Sequence, residues 1–437
     1  MLRCGRPVLA VLLAVVLAGC GDDEPLDGPD EPSASASSPA STAPASSSEP
    51  SSSGDEPFSA EEADFAAVER LLDRRAAAVL DGDRAAFLAT VDRGNPALRR
   101  EQRVLFENLR RLPVASLRYA VSRDGYRPDE VAGDDPVLRP RVAEHLALRG
   151  VWRRPVGNQL AMTFVRRDGT WRVGAEVLDE TFEPQERPWF GVPLDVAVDG
   201  SVVALTDRDG PLPASEVLDG VRTELASLGE LLDERGGRLL VDATSNGLPH
   251  GVREGSGDDA AAVSFDVYAT DDLADSYTAR AGAAIKLNPD LVDAIVEDRY
   301  TMRHELTHFL LATDTSAPYW ATEGIAEYAA YHPNRLADFR FDEGVLAELD
   351  ERPVGLTPAG RWGEEAAGDY LLAEATVEHL VDTYGLDRFR RMLRVFERRG
   401  GRGVLYGEGI VDEVLRDVYG EGERSVARAA YARLGLD

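Results

Sequence analysis

The chain has 437 residues, of which 48 are basic and 78 acidic, so its formal net charge is −30. At roughly 150 residues per domain, this length predicts about three domains and excludes a single small module. A surface this acidic repels phosphate groups and anionic lipid headgroups. We find no local basic patch in the sequence, so nucleic acid is not an expected partner.

The first twenty residues have the layout of a signal peptide. Arg3 and Arg6 precede a short apolar run, Val8 to Ala18, which is too short to span a bilayer comfortably. The run ends in Leu17-Ala18-Gly19-Cys20, which resembles the lipobox of bacterial lipoproteins. The resemblance implies that residues 1–19 are removed and that the Cys20 thiol is diacylated, and two acyl chains suffice for stable anchoring. The alternative is a secreted protein cleaved nearby by the general signal peptidase.

Residues 20–57 are predicted to be a disordered tether behind this anchor. From Gly21 onward they are mostly Ser, Ala, Pro, Asp and Glu, with Leu26 as the one large apolar residue, so they cannot bury enough surface to order themselves. Without their nine acidic residues and the two leader arginines, residues 58–437 carry −23. Since Cys4 and Cys20 are the two cysteines, the processed chain can form no internal disulfide. The expected location is the extracytoplasmic face of the cell membrane, with the protein held there by lipid.

Residues 58–185 are predicted to form a first folded region, with helices before strands. Apolar residues recur at three- and four-residue steps from Phe65 to Val79, Asp83 is placed to cap a second short helix, and a third helix ends near Leu112. The strand candidates are Ser116–Ser122, Val142–Trp152, Gln159–Arg166 and Trp171–Leu178, with a hairpin turn at Arg167-Asp168-Gly169.

This order of elements resembles the cone-shaped nuclear transport factor 2-like fold, and the step Asp81-Gly82-Asp83 between the first helices adds to the likeness. The resemblance implies an accessory domain. A scaffold or substrate-presenting role is favoured over binding of a small ligand, because no convergent set of polar residues is visible in the sequence.

Residues 186–437 are predicted to form a second region after a Pro-containing connector, Phe182 to Pro193. Strand-like Leu194–Leu205 and a helix from Ala214 to Leu232 come first. Further strands are expected at Arg238–Ala243, Ala261–Tyr268 and Ala283–Leu287, and the remainder is mainly helical. Strands followed by helices predict an α+β fold, with the chemistry at the junction.

The junction carries the motif HExxH, as His304-Glu305-Leu306-Thr307-His308. On a helix, residues four apart share a face, so both imidazoles can reach one zinc ion while Glu305 is directed toward the attacking water. The alternative is an exposed helix with incidental histidines. Leu306, Phe309 and Leu310 argue against it, because they give the helix a buried side.

Zinc needs a third protein ligand, and the sequence offers two choices. Glu323 lies on a second predicted helix after the Thr313–Pro318 loop, where Gly324 and Ala326 would let that helix approach the first. Asp314 is the other choice, as in compact zincins that require a glycine at the position of Leu311. Leucine is a poor substitute there, so the sequence favours Glu323.

HELTH at residues 304–308 with WATEGIAEY at residues 320–328 resembles the gluzincin metallopeptidases, in particular the peptidase MA-like branch. The resemblance implies a zincin domain in which Zn²⁺ is bound by His304, His308 and Glu323, and Glu305 is the general base. It also implies that Glu327 orients a ligand histidine and that Tyr370 stabilises the oxyanion. An exposed carboxylate and a packing tyrosine are the alternatives for the last two. Tyr328 and Tyr331 are less favoured for the oxyanion, and the other histidines have no ligand-spaced partner.

Three functions therefore remain at this stage. The first is an anchored zinc metallopeptidase that hydrolyses peptides or proteins. The second is a non-catalytic lipoprotein whose zincin-like domain binds peptide or a partner protein, and the third is a ligand-binding accessory lipoprotein. Ala281–Pro289 fits either a sheet edge that takes an extended peptide or an ordinary buried strand. The physiological substrate and the oligomeric state do not follow from the sequence.

Overall fold

The computed structural model describes residues 60–122, 136–178, 187–232, 237–246, 261–311, 317–356, 366–399 and 409–436. The predicted signal peptide, the lipidated Cys20 and the tether lie outside these residues, as does the alternative ligand Asp314. Among the described helices, none combines the length and the apolar composition that crossing a bilayer would require.

The first folded region places three helices against an antiparallel sheet. The helices are α1 (Ala60–Asp81), α2 (Arg84–Ala89) and α3 (Pro96–Arg111), and the strands are β1 (Val114–Ser122), β2 (Val137–Leu138), β3 (Arg141–Leu148), β4 (Val156–Arg167) and β5 (Thr170–Leu178). Asp83 accepts a hydrogen bond from the Ala86 amide at the start of α2, so the predicted cap is confirmed. The predicted hairpin is confirmed as well: Asp168 and Gly169 both have positive φ, as a two-residue turn between β4 and β5 requires.

The second region begins with a mixed sheet and continues with helices, so the α+β fold class is confirmed. Its strands are β6 (Leu194–Asp199), β7 (Val202–Asp207), β8 (Leu239–Ala243), β9 (Ala262–Thr270) and β10 (Tyr277–Leu287), in the order β6-β7-β8-β10-β9. Helix α4 (Ala214–Leu232) connects the parallel strands β7 and β8. The helices after the sheet are α5 (Val292–Asp298), α6 (Tyr300–Leu311), α7 (Tyr319–Tyr331), α8 (Glu343–Asp350), α9 (Ala366–Tyr384), α10 (Leu386–Arg399), α11 (Ile410–Tyr419) and α12 (Glu423–Arg433), with a short 3₁₀ turn at Leu336–Asp338.

Two strand expectations need correction. The predicted strand Leu194–Leu205 is a hairpin of β6 and β7, turned at Gly200, which has positive φ. The possibility that Ala281–Pro289 forms a sheet edge is wrong, because β10 is paired with β8 on one side and β9 on the other. The outer strand near α6 is β9, which within the described residues pairs with β10 alone.

The two regions share one hydrophobic core, which crosses the predicted domain boundary. Phe87 and Leu105 of the first region belong to the same buried cluster as Leu205 and Ala284 of the second. Asn108 of α3 adds polar contacts: its side-chain amide donates to the Trp189 carbonyl at 3.0 Å, and its oxygen accepts from the Leu194 amide at 3.0 Å. The described part of the connector therefore packs into this shared core through Trp189.

The interior of the first region contains a buried ion network that sequence reasoning missed. Arg187, from the connector, donates two 2.9 Å hydrogen bonds to Glu144 and one of 2.6 Å to Glu176. Arg75 of α1 lies 2.7 Å from the second oxygen of Glu176. These four side chains are completely buried. The two arginines and two glutamates come from four separate stretches of chain, so no local sequence pattern could reveal them.

Arg187→Met is expected to destabilise the protein by about 3–5 kcal/mol, because removing one partner of a buried ion pair leaves charge uncompensated. The free energy of unfolding, measured by urea titration, tests this. Arg118→Met is the matched control. Arg118 pairs with Asp272 at 2.8 Å, but both side chains are largely exposed, and such pairs contribute about 0–1 kcal/mol. If the two variants lost similar amounts of unfolding free energy, Arg187 would not be part of a buried ion network that stabilises the protein.

The pH dependence follows from the same network. Burial alone would raise the pKa of Glu176, but Arg75 and Arg187 hold it below its ordinary value. A depressed pKa contributes stability above the pKa of the unfolded chain, and this contribution is lost as the pH falls through the folded pKa. We therefore expect the difference between wild type and Arg187→Met to shrink on acidification, because the carboxylates left behind in the variant can then take up protons.

Helix α10 corrects the expectation that the chain has no local basic patch. Its 14 residues include six arginines and two acidic residues, and Phe389, Met392, Val395 and Phe396 form its buried face. Four arginines of this helix are exposed and have no acidic partner within 4 Å among the described residues: Arg388, Arg391, Arg394 and Arg398.

Gly324 allows α7 to approach α9, and the expectation that it serves the contact with α6 is wrong. A Cβ at this position would lie 2.3 Å from the Ala373 carbonyl oxygen and 2.6 Å from a methyl group of Val377, both on α9. The missing side chain therefore lets the helix that carries Glu323 pack on the helix that carries Tyr370.

Gly324→Ala is expected to destabilise the protein by about 1–3 kcal/mol or more, because the new methyl group meets backbone that cannot move aside. In an open helical position the same change would stabilise by about 1 kcal/mol. Gly220→Ala in α4 is the control, since its Cβ would meet Met302 and Val296 at ordinary distances of 3.5–3.7 Å. The melting temperatures of both variants measure these effects on stability. An unchanged melting temperature for Gly324→Ala would show that α7 and α9 can move apart without loss of stability.

Candidate metal centre

Two consecutive helices form the centre, and the local sequence sets where each begins. Helix α5 ends at Arg299, which adopts a left-handed conformation, and the Asp298 carboxylate then accepts from the Tyr300 amide at 3.0 Å, at the first residue of α6. Helix α7 begins directly after Pro318, where the fixed φ of proline and its missing amide proton favour a helix start. His304 and His308 therefore lie one helical turn apart on α6, and Glu323 lies in the second turn of α7.

The structure brings His304, His308 and Glu323 together at one point. The two imidazole Nε2 atoms are 3.1 Å apart. Oε2 of Glu323 lies 3.3 Å from Nε2 of His304 and 3.4 Å from Nε2 of His308. A tetrahedral zinc site with bonds of about 2.0–2.2 Å separates its ligand atoms by about 3.3–3.6 Å, so the three spacings are close to those of a zinc site.

The electrostatics of this cluster favour a positive charge. Burial alone would lower the pKa of His304, but its contacts with Glu323 and Glu327 raise it to about 10. Burial would likewise raise the pKa of Glu323, but the two histidines bring it down to about 2. The protein environment therefore stabilises a cation next to an ionised carboxylate, as a divalent metal site requires.

The hydrogen bonding of Glu323 also fits a metal ligand. Its side chain is 1% exposed, yet neither carboxylate oxygen has a hydrogen-bond partner among the described residues. A buried carboxylate without hydrogen bonds carries a large desolvation cost unless it is ion-paired or coordinates a metal, and the two imidazoles lie within 3.4 Å of this one. With two imidazole nitrogens beside it, the donor set suits zinc, and the residues present fit that ion.

Glu305 points into the same buried space from the neighbouring position on α6. It is fully buried, and neither oxygen has a hydrogen-bond partner of normal geometry among the described residues. Burial raises the pKa of its carboxyl group, and the two histidines oppose this shift. The group is thus placed beside the ligand cluster without being part of it.

Glu327 lies behind His304. One carboxylate oxygen, Oε1, is 3.0 Å from Nδ1 of His304, on the side of the ring away from Glu323. The other oxygen accepts a hydrogen bond from the phenol of Tyr300, a residue that sequence reasoning did not single out. Its spacing could have indicated this residue. Tyr300 precedes His304 by four residues, the same spacing that separates His304 from His308, so the three share one helix face.

Tyr370 of α9 also lies at the centre. Its ring centroid is 6.2 Å from that of His304, with the two planes at 67°, and it packs against the core of the second region. Tyr328 and Tyr331 are on α7, as expected. Elsewhere, His145 lies in β3 with Nε2 3.0 Å from the Asp272 carbonyl oxygen, and it is not part of the cluster.

Arg303 is a second residue that the sequence did not indicate. Its guanidinium donates to the carbonyls of Ala330 at 3.0 Å and Ala329 at 2.6 Å, near the carboxyl end of α7, and pairs with Glu224 of α4 at 2.7 Å. A cation at this end of a helix satisfies free carbonyls and complements the helix dipole. Arg303 thereby ties α6, the helix of the histidines, to the helix of Glu323.

Comparison with known proteins adds little to this geometry. No family model matches the chain. No curated protein matches it either. A similar solved structure is that of a variant of Rv3472, described as a function unknown protein from Mycobacterium tuberculosis, with 17% sequence identity and a TM-score of 0.21. The match covers 27% of this chain and 72% of that one. The function is therefore argued from the site alone.

Proposed function

We propose that the protein is a zinc-dependent metallopeptidase of the gluzincin type, in which His304, His308 and Glu323 hold the metal. The observation that carries the proposal is the convergence of two imidazole nitrogens and a buried carboxylate oxygen within 3.1–3.4 Å of one another. Glu305 adjoins this cluster, and neither of its carboxylate oxygens makes a hydrogen bond of normal geometry among the described residues. A purely structural zinc site usually completes its fourth position with a protein ligand and has no use for such a carboxylate, so its presence favours catalysis.

Glu305 is the general base of the proposed reaction. It accepts a proton from the attacking water and delivers it to the leaving amine. A base works best when its pKa lies near the working pH, and burial moves the Glu305 carboxyl upward in that direction. Zinc bound at the site would supply Lewis acidity, which acidifies the water and polarises the scissile carbonyl group.

The substrate is proposed to be an extended peptide. Among the described residues, β9 is the outer strand of the sheet and lies beside α6, so its outer edge is where we propose that a peptide backbone binds by β-strand addition. Tyr370 is proposed to donate to the oxyanion that forms on the scissile carbonyl, and its place beside His304 supports this role.

The location outside the cell and the anchoring through Cys20 remain proposals from the sequence. Resemblance of residues 58–185 to the nuclear transport factor 2-like fold is likewise a proposal. The buried network of Arg75, Glu144, Glu176 and Arg187 supports a scaffold role for that region, because these polar groups are already paired with one another.

Metal content and cleavage of the full chain test this function. We expect about one zinc per chain and hydrolysis of internal or terminal bonds in a mixed peptide library read by mass spectrometry. A chelator should abolish the hydrolysis, and added zinc should restore it. Zinc binding without cleavage of any peptide would favour the non-catalytic, peptide-binding alternative. A chain that binds no zinc would overturn the proposal.

A further inference from the structure

Helices α6 and α7 face each other through two rows of side chains, each spaced by four residues. The row on α6 is Tyr300, His304 and His308, and the row on α7 is Tyr331, Glu327 and Glu323. Residues four apart share a helix face, so each row is continuous. The rows run in opposite directions. At one end the rings of Tyr300 and Tyr331 are in contact, with centroids 4.2 Å apart and planes tilted by 37°, and at the other end His308 lies 3.4 Å from Glu323.

Glu327 is the middle member of its row, and its carboxylate is contacted on both oxygens. Oε1 lies 3.0 Å from Nδ1 of His304, and Oε2 accepts the hydrogen bond of the Tyr300 phenol. The terminal torsion of a glutamate is broad, so one contact alone leaves the carboxylate plane loosely defined. A bond on the second oxygen fixes that plane and therefore fixes where Oε1 points.

We propose that Tyr300 is a positioning residue of the metal centre, an inference that rests on zinc binding as part of the proposed function. Its phenol orients the Glu327 carboxylate, and the carboxylate holds the His304 ring through the 3.0 Å contact between Oε1 and Nδ1. The lone pair of the opposite ring nitrogen, Nε2, is thereby directed to the metal. Tyr300 contacts none of the three converging ligand atoms and acts through Glu327. Its ring contact with Tyr331 helps to keep the phenol in place.

The test is the zinc affinity of Tyr300→Phe, measured on the full chain by chelator competition. This change removes one oxygen and keeps the ring. Affinity is expected to fall by about 10- to 100-fold, the range found when an outer partner of a metal ligand is lost. The visible absorption spectrum of the cobalt-substituted protein is expected to change too, because the histidine is no longer held in one orientation.

Tyr328→Phe is the matched control. Tyr328 lies on α7, but its phenol accepts a hydrogen bond from Arg335 at 3.3 Å and it is not in the row that faces α6. This variant should keep the zinc affinity and the cobalt spectrum of the wild type, even if its melting temperature falls.

A double variant separates positioning from a general loss of stability. In the Glu327→Gln background, Tyr300→Phe should change zinc affinity by less than about twofold, because the coupling passes through the carboxylate. Wild-type zinc affinity in Tyr300→Phe would overturn the inference, as would an undiminished effect in the Glu327→Gln background. Normal zinc binding by the wild type without any cleavage would count against the peptidase proposal alone.

Discussion

Glu305→Gln is expected to retain about one zinc per chain and to lose cleavage of every peptide that the wild type hydrolyses. The substitution keeps the shape of the side chain but removes its capacity to accept a proton. General-base catalysis contributes about 10²–10⁴-fold, so kcat should fall by at least that range. Zinc content should be unchanged because Glu305 lies beside the three converging ligand atoms and is not one of them. Single-turnover kinetics measure the cleavage rate, and metal analysis of the same sample measures the zinc content.

Glu378→Gln is the control for removing a buried carboxylate from this region of the protein. Glu378 lies on α9, where it pairs with Arg433 at 2.6 Å and accepts from the Leu336 amide at 3.0 Å. This variant should be less stable and still active. Full activity in Glu305→Gln would remove Glu305 from the mechanism. Loss of zinc from that variant would instead place Glu305 among the ligands.

Glu323→Ala is expected to weaken zinc binding by more than about 100-fold, because even the outer partners of metal ligands contribute 10- to 100-fold. The two histidines would remain one turn apart, but two nitrogens give an incomplete set for zinc. The variant should also lose the stabilisation that zinc gives to the wild type, since a ligand that binds only the folded state raises its stability by mass action. Isothermal titration and melting curves with and without zinc report these two effects.

Asp314→Ala decides between the two third ligands that the sequence offered. It should keep wild-type zinc affinity if Glu323 is the ligand. The opposite pattern, with zinc lost from Asp314→Ala and retained by Glu323→Ala, would reassign the ligand and place the protein among the compact zincins.

The two helices of the candidate metal centre were predictable because their signals are local. HExxH and its four-residue spacing depend only on helix geometry, and Pro318 marks the start of α7 within a few residues of sequence. The role of Gly324 was not predictable in the same way. The sequence shows that this residue has no side chain. Whether it allows close approach to α6 or to α9 depends on how the three helices pack.

The order of the strands in the second sheet could not be predicted from the sequence either. The sequence of β10 predicts a strand with small residues at Ala281, Gly282 and Ala283. This pattern is compatible with an edge strand and with an interior strand. Pairing between β10 and β8 joins residues about 40 positions apart, and the sequence has no local signal for such a pair.

The sequence by itself determined that the protein carries two histidines at helical spacing with a glutamate between them, a second motif with Glu323 and Glu327, and an acidic composition. These features follow from composition and from spacing along a single helix. Only the tertiary structure decided that Glu323 meets both histidines, that Tyr300 reaches Glu327 and that Arg187 is buried among glutamates. The physical reason is that side-chain chemistry and helix periodicity act over a few residues, whereas desolvation and ion pairing depend on which distant segments share one interior.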